Sequence, residues 1–472
     1  MTEIRFLSHA SVLIKTSEAS IIVDPWLLGS CYWRSWWNYP PVCKDAISDL
    51  KVSAIYITHV HWDHWHGPSL KKLFSKDTMV ITHDEPNKRS VNDLKKIGFS
   101  NIRLLRHSEG LNIGDIRITP YQFGLFLNDS AIVVETPDVK ILNANDCKIA
   151  GAALRSIIKR HGPFDFALRS HSSANDRVCY ELESEDFQFD DKDHYSRSFA
   201  LFMNAVKPRF AVPFASNHCH LHKDVYHMNT IVNDPFKLQR YIEDNQLLDN
   251  VDLKVMLSGD TWSSESGFNI NTENYTFFSR KQEFIEEYRD SVQHILQVYY
   301  DQENKIILNY KFIDLFIKQI RSIPQFFRNR LGDFRYKLVL YNDFREYQFI
   351  VTPKSASVEE LDSSFDFGGV VKIPIKVFVD SVAMNMFHHA SISKRNRYVF
   401  RNREQLLLFE RFQDLLEYVE LGVFPLNAQY IFALFKAYIR RWREVIVYAQ
   451  AFLLSRKGLP IYDIEEEILK NT

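Results

Sequence analysis

Residues 59–64 concentrate side chains that bind metal ions. Three imidazoles and one carboxylate, those of His59, His61, Asp63 and His64, fall directly after a short apolar run. Because alternate residues of an extended backbone point to the same side, His59 and His61 are predicted to share one metal ion. Asp63 and His64 come from the turn that follows and suit a second, neighbouring ion. The spacing therefore predicts a two-metal centre at the carboxyl edge of a sheet.

The ligand types indicate the chemistry of this centre. Imidazole and carboxylate suit zinc, iron or manganese, and the motif does not decide among them. A metal pair of this kind lowers the pKa of bound water and supplies hydroxide for attack on a phosphoryl, acyl or lactone centre. Hydrolysis is therefore the default reaction, with Asp63 able to orient the water as a base. Trp62 and Trp65, between the ligands, supply either an apolar shell around the metal or ordinary core packing.

The elements that must position the motif are short β-branched runs alternating with helical stretches, a pattern typical of an α/β fold. The predicted strands are 11–15, 20–24, 54–58, 79–82, 115–119, 131–135, 139–143, 209–213 and 253–257. A polar stretch ends near residue 276, and long helical patterns follow at 404–420 and 427–454. We expect a metal-binding domain at 1–270 and a smaller, helix-rich α+β domain at 271–472.

Composition limits the class of partner. The 58 Lys and Arg nearly cancel the 59 Asp and Glu, so no overall positive field favours nucleic acid. No run approaches the roughly 18 apolar residues that a membrane span needs. The five scattered cysteines favour a reduced, cytoplasmic protein over a disulfide framework. A small molecule is the expected substrate.

Further stretches around the motif carry a family resemblance. The chain opens with Ser-His-Ala-Ser at 8–11 and continues with Asp-Pro-Trp at 24–26 before the metal motif. The other similar stretches are 36–41, 68–73, 140–147, 208–215 and 220–235. In these residues the sequence resembles the metallo-β-lactamase superfamily, in the branch that includes the metal domain of CMP-N-acetylneuraminate hydroxylases. The resemblance implies an αββα sandwich.

The resemblance also implies site residues outside the motif. Asp24 matches the acidic residue that braces the metal loop. Asp146 matches the bridging carboxylate, which can also orient water, and His220 matches the late histidine ligand of the second metal. The alternatives are His218 and His222 for the late ligand and Asp260 for the bridging carboxylate.

Two departures from the family pattern bear on function. The middle histidine of the superfamily is expected between Gln122 and Asp129, where Leu125 occupies the aligned position. The options are a single-metal site, a substitute ligand such as His107 or His171, or a site without activity. The second departure is that the chain lacks the paired Cys and His motifs of a Rieske cluster. A hydroxylase of this kind needs a separate electron donor.

Three functional hypotheses follow. The first is a metal-dependent hydrolase that uses metal-bound hydroxide, with zinc or iron held by the motif, Asp146 and His220. The second is an iron-dependent oxygenase that acts on a nucleotide sugar or related carbohydrate with an external electron donor. The third, suggested by Leu125, is a non-catalytic interaction protein with a degenerate metal site.

Overall fold

The computed structural model describes residues 1–124, 129–172, 174, 176–186, 191–361 and 366–472. The strands of these residues, numbered in chain order, are β1 (Glu3–Phe6), β2 (Val12–Lys15), β3 (Ser20–Val23), β4 (Ser30–Cys31), β5 (Trp36–Asn38), β6 (Ala54–Ile57), β7 (Met79–His83), β8 (Ile102–Leu105), β9 (Leu111–Ile113), β10 (Ile116–Phe123), β11 (Asp129–Glu135), β12 (Lys140–Asn145), β13 (Phe166–Ser170), β14 (Tyr180–Leu182), β15 (Phe210–Phe214), β16 (His218–His220), β17 (Asp252–Leu253), β18 (Thr261–Ser263), β19 (Gly267–Asn269), β20 (Tyr336–Asn342), β21 (Arg345–Thr352), β22 (Ser357–Glu360), β23 (Gly369–Pro374) and β24 (Arg397–Phe400).

The α-helices of the same residues are α1 (Gly67–Leu73), α2 (Arg89–Lys96), α3 (Gly151–His161), α4 (Lys192–Val206), α5 (Pro235–Asp244), α6 (Asn274–Ser279), α7 (Lys281–Ser291), α8 (Gln293–Asn304), α9 (Lys311–Ser322), α10 (Gln325–Asn329), α11 (Ile375–Met384), α12 (Phe387–Ile392), α13 (Arg403–Glu420), α14 (Ala428–Arg440), α15 (Trp442–Arg456) and α16 (Ile461–Lys470). Short 3-10 segments lie at Asp45–Ile47, Asp176–Cys179 and Tyr226–Thr230.

Two sheets form the centre of the N-terminal region. One has the order β19-β18-β1-β2-β3-β6-β7-β8 and the other β17-β15-β13-β12-β11-β10-β9. Strands β3, β6, β7 and β8 run parallel, as do β12, β13 and β15. Because the side chains of a strand alternate between its two faces, Ile21 packs between the sheets while Ile22 packs on the outer side. Both faces of the first sheet are therefore covered.

Helices close the outer faces of both sheets. Leu70 of α1 and Leu94 of α2 pack on the outer side of the first sheet. On the outer side of the second sheet, the apolar cluster includes Leu154 of α3, Phe199 of α4 and Leu238 of α5. The layers run helix, sheet, sheet, helix, so the predicted αββα sandwich is confirmed.

The C-terminal region adds a third sheet, of order β14-β24-β23-β20-β21-β22. Helices α9, α11 and α13 share one apolar core with this sheet. Strand β14 comes from the N-terminal part of the chain and pairs in parallel with β24. Helices α15 and α16 pack back on α3 and α4. The C-terminal region is α+β and rich in helices, as expected. One strand from before residue 270 pairs with the third sheet, and two helices from after residue 270 pack on the N-terminal sandwich.

The helices and the cysteines were both subjects of the expectations from composition. No helix of the described residues is long and apolar enough to cross a membrane. All five cysteines, Cys31, Cys43, Cys147, Cys179 and Cys219, are free thiols.

Candidate metal centre

Asp24, at the end of β3, holds the metal motif to the sheet. Its carboxylate is fully buried, and it accepts hydrogen bonds from the Thr58 amide at 2.8 Å and the Thr58 hydroxyl at 2.6 Å. The same carboxylate lies 2.7 Å from Nδ1 of His64. With Nδ1 donating to Asp24, the lone pair of His64 lies on Nε2, the nitrogen that faces the other candidate ligands.

One group of candidate ligands consists of His59, His64 and Asp146. One ligand atom of each lies within 4.8 Å of the other two. Nε2 of His64 lies 3.1 Å from an Asp146 oxygen, and the His59 and His64 rings have centroids 4.1 Å apart. His61 lies beside this group, because its Nδ1 is 2.9 Å from Nε2 of His59.

A second group consists of His9, Asp63 and His64, all of them buried, and it meets the same distance limit of 4.8 Å. One Asp63 oxygen lies 3.1 Å from Nε2 of His9 and 3.5 Å from Nε2 of His64. The other Asp63 oxygen accepts a hydrogen bond of 2.5 Å from the Tyr32 hydroxyl. Nε2 of His64 is common to both groups, and because Nδ1 faces Asp24, this imidazole can bind an ion in only one of the two positions at a time.

The electrostatics keep the donor atoms of His59, His61 and Asp63 available, whereas His64 holds a proton. Burial, with the neighbouring imidazoles, lowers the pKa of His59 and of His61 well below the usual value, so both are neutral at pH 7. Burial opposes the charge on Asp63, but His64 and His9 outweigh it and hold the Asp63 pKa well below its usual range. Burial also opposes the charge on His64, whose pKa Asp63 and Asp24 nevertheless raise. A metal bound here would displace the proton from His64 and take its place as the cation.

Asp129 is a carboxylate beside the first group. It begins β11, and one of its oxygens lies 4.0 Å from Nδ1 of His59 and has no hydrogen-bond partner among the described residues. Burial and the Asp146 charge raise its pKa to about 7. Asp129 is the last residue of the 122–129 interval in which the middle histidine was expected. Leu125 itself lies outside the described residues.

The candidate late histidines occupy different places. The His218 ring stacks flat on Trp36, with centroids 3.7 Å apart, and lines the cavity that holds Asp63 and Asp146. His220 lies further along β16, with Nδ1 3.5 Å from the Ser35 hydroxyl, and does not line that cavity. His222 lies 3.7 Å from Glu303 in the C-terminal region.

The other sequence candidates are held elsewhere. Asp260 accepts hydrogen bonds from the Leu257 and Asn271 amides and caps a turn. His107 accepts a hydrogen bond from the Gln122 amide at 3.1 Å. Neither His107 nor the buried His171 is among the described residues that line the metal cavity.

The cavity has a volume of about 370 Å³ and includes residues that the sequence did not single out as ligands. His9 and Asp129 line it, as does His388, whose ring stacks on His61 with centroids 5.1 Å apart. In the sequence, His9 stands out only as part of the opening Ser-His-Ala-Ser. Asp129 stands out only as the last residue of the interval in which the middle histidine is expected. His388 follows the metal motif by more than 300 residues, so local spacing carries no signal for it.

The residues present fit a divalent metal. Nε2 of His61, Nε2 of His218 and one Asp129 oxygen are buried in this cavity wall without a hydrogen-bond partner among the described residues. Unpaired buried polar atoms cost about 1–3 kcal/mol each, and a bound ion is one of the few things that relieve that cost. The donors are imidazole and carboxylate, a set that zinc and iron both accept.

Parts of this chain are similar in sequence to known proteins. Residues 3–123 match a family model described as the beta-lactamase superfamily domain. The cytidine monophosphate-N-acetylneuraminic acid hydroxylase of Cricetulus griseus is 25% identical over 269 residues, which is 52% of this chain and 45% of that protein. A putative Rieske 2Fe-2S iron-sulfur protein of Mycobacterium tuberculosis is 25% identical over 247 residues, 49% of this chain and 47% of the relative.

Among solved structures, an isothiocyanate hydrolase from Delia radicum gut bacteria matches with a TM-score of 0.40 and 14% identity, covering 55% of this chain and 98% of that one. This chain spans about half the length of the curated relatives it matches. The matched family model covers residues 3–123, which include the metal motif. Over residues 3–123 the N-terminal region is therefore similar to the beta-lactamase superfamily domain.

Proposed function

We propose that this chain is a metal-dependent hydrolase of small molecules. The observation that supports it is the pair of ligand groups that share His64 and open into one cavity. His59, His61 and Asp146 would hold one divalent zinc or iron ion, and Asp63, His64 and His9 the other. Asp129 completes the first set in place of the missing histidine. For the late ligand we propose His218 in place of His220, since His218 lines the cavity.

Residues of the chain would provide the general base and a positive charge for hydrolysis. Bound divalent ions supply Lewis-acid polarisation and lower the pKa of water. Asp146, whose side chain is 25% exposed, orients the attacking water and accepts its proton. Asp63 is less suited to that role because Tyr32 and His9 occupy its two oxygens. Lys148 lines the same cavity and brings a positive charge to the oxygen that becomes negative during hydrolysis.

The test is hydrolysis of a panel of lactones, carboxylic esters and phosphodiesters by protein reconstituted with zinc or iron. Asp146→Asn should lower kcat by about 100-fold or more on the substrate that is turned over, in line with the loss of a general base. Asp49→Asn removes an exposed carboxylate and is the matched control. Equal activity of Asp146→Asn and Asp49→Asn would contradict the role of Asp146.

A second candidate is an iron-dependent oxygenase acting on a nucleotide sugar or other carbohydrate. It is favoured by the names of the curated relatives, a hydroxylase and a putative Rieske protein, and by carboxylates at Asp63, Asp129 and Asp146. The described residues hold no cluster of cysteines, so this reading needs an external electron donor. Stoichiometric iron, with oxygen uptake that depends on substrate and reductant, would support it over hydrolysis.

A further inference from the structure

A second cavity, of about 360 Å³, lies inside the C-terminal region between the third sheet and helices α9, α11, α12 and α13. Its walls are mainly apolar. They include the side chains of Phe316, Leu338, Val371, Phe378, Phe409 and Phe412. The volume falls at the lower end of the range of small-molecule pockets, roughly 300–1,000 Å³.

This second cavity adjoins the metal cavity. Asp176, His388 and Ser391 line both of them. His388 also stacks on His61 of the metal motif. A molecule seated in the second cavity can therefore extend past these three residues toward the metal centre.

Asn396 leaves an unsatisfied acceptor in the wall of the second cavity. Its side chain is 3% exposed and its Nδ2 donates to the Tyr398 hydroxyl at 2.9 Å. The side-chain oxygen Oδ1 has no hydrogen-bond partner among the described residues. A buried amide oxygen without a donor is costly, so the missing partner is a hydrogen-bond donor.

The charged groups of the cavity are predominantly acidic. Arg177 pairs with Glu410 at 3.0 Å, and Nδ1 of His388 lies 3.6 Å from Glu417. Asp176 and Asp414 form no close ion pair in the described part of the chain, and the nearby charge of His388 lowers the pKa of both by less than burial raises it. Asp176 accepts only uncharged donors, such as the Tyr180 hydroxyl at 3.2 Å. Burial raises the pKa of both aspartates, and a cation beside them would offset this effect.

We propose that this cavity binds the non-reacting part of the substrate, and that this part is an alkyl or aryl group carrying a protonated amine. The apolar walls accept the hydrocarbon, and the ammonium donates to Asn396 Oδ1 and Asp176. The reacting end then lies at the metal centre; that part of the inference rests on the proposed function. The same acceptors disfavour the phosphate and carboxylate groups of an anionic nucleotide sugar.

Calorimetric titration with three matched probes tests the proposal: 4-phenylbutylamine, 4-phenylbutanol and 4-phenylbutyrate share a ring and chain length and differ in charge. The amine should bind at least about tenfold more tightly than the carboxylate, the factor expected from one charge-assisted hydrogen bond. Equal or tighter binding of 4-phenylbutyrate, or no binding of any probe, would overturn the proposal.

Variants locate the binding. Asn396→Leu and Asp176→Asn should each weaken the amine by about tenfold, and Asp176→Asn should change 4-phenylbutanol affinity little. The amide oxygen that Asp176→Asn introduces can still accept from the Tyr180 hydroxyl, so the variant keeps this contact, and Asp314→Asn, at an exposed position on α9, is the control. An unchanged amine affinity in both cavity variants would count against the site.

Measuring metal content on the same samples separates the two claims. Amine binding by protein that takes up no metal would contradict the proposed function and leave the cavity assignment standing. Metal uptake without amine selectivity would overturn the cavity assignment alone.

Discussion

Replacing Asp24 by asparagine tests whether the sheet positions the metal ligands. Asp24 accepts three hydrogen bonds, two from Thr58 and one from Nδ1 of His64. Asparagine keeps one oxygen but places an NH2 group where the second oxygen meets two donors. His64 then either loses its partner or moves its proton to Nε2, the nitrogen that a metal needs.

The magnitude follows from the bonds that are lost. A hydrogen bond to a charged group is worth about 1.5–3 kcal/mol, which corresponds to roughly a 10- to 100-fold change in an equilibrium constant. That range matches the typical effect of substituting a partner of a metal-bound histidine. We therefore expect Asp24→Asn to weaken metal binding by about 10- to 100-fold.

The assay is competition for Zn²⁺ with a chromophoric chelator, with circular dichroism to confirm that the metal-free variant is folded. Asp49→Asn, an exposed change of the same chemistry, should bind zinc like the wild type. A folded Asp24→Asn protein with wild-type zinc affinity would refute the idea that Asp24 orients His64.

Three other predictions follow from buried polar groups. Tyr32→Phe removes the hydroxyl that donates to Asp63 and accepts from the Trp62 amide, so zinc affinity in the same competition assay should fall by about tenfold. Wild-type zinc affinity would contradict the role of Tyr32 in holding Asp63. Burial raises the pKa of the Glu85 carboxyl from 4.5 to about 7, so the folded state binds the carboxyl proton more tightly than the unfolded state does. The stability that this protonated carboxyl contributes is therefore lost as pH rises from 4.5 through about 7. Glu85→Gln should therefore be more stable than the wild type by about 3 kcal/mol at pH 8 and nearly equal to it at pH 4.5 in denaturant unfolding; a difference independent of pH would contradict this. Arg395→Met leaves the buried Glu303 and its neighbour Asp224 without their cation and should cost about 3–5 kcal/mol in the free energy of unfolding, whereas a cost below about 1 kcal/mol would show that the pair is dispensable.

Much of the fold could be predicted from local patterns. Runs such as 54–58 and 131–135 form strands β6 and β11, because β-branched residues bounded by polar ones are buried on both faces of a sheet. The strand predicted at 253–257 was wrong beyond Leu253, where β17 ends after two residues. The helix predicted at 427–454 is two helices that meet at Arg441, whose buried guanidinium pairs with Glu444. An apolar pattern does not reveal that tertiary ion pair.

The candidate site was predictable where its ligands are adjacent in sequence. His59, His61, Asp63 and His64 follow one strand, and their spacing alone brings them together. His9, Asp129 and His388 come from separate elements, and only the packing of both sheets and the C-terminal region places them at the cavity. Preferring His218 to His220 rests on which of the two lines the cavity, which residue order cannot show.

Metal content measured by mass spectrometry, on protein purified without added metal, tests the central claim most directly. The wild type should hold one or two equivalents of zinc or iron. Because His64 offers its Nε2 to the ion held with Asp63 and His9, His64→Ala should lose that ion, whereas both His64→Ala and His9→Ala should keep the ion held by His59, His61 and Asp146. Wild-type protein that neither contains nor takes up a divalent metal, or a folded His64→Ala variant with wild-type metal content, would contradict the account.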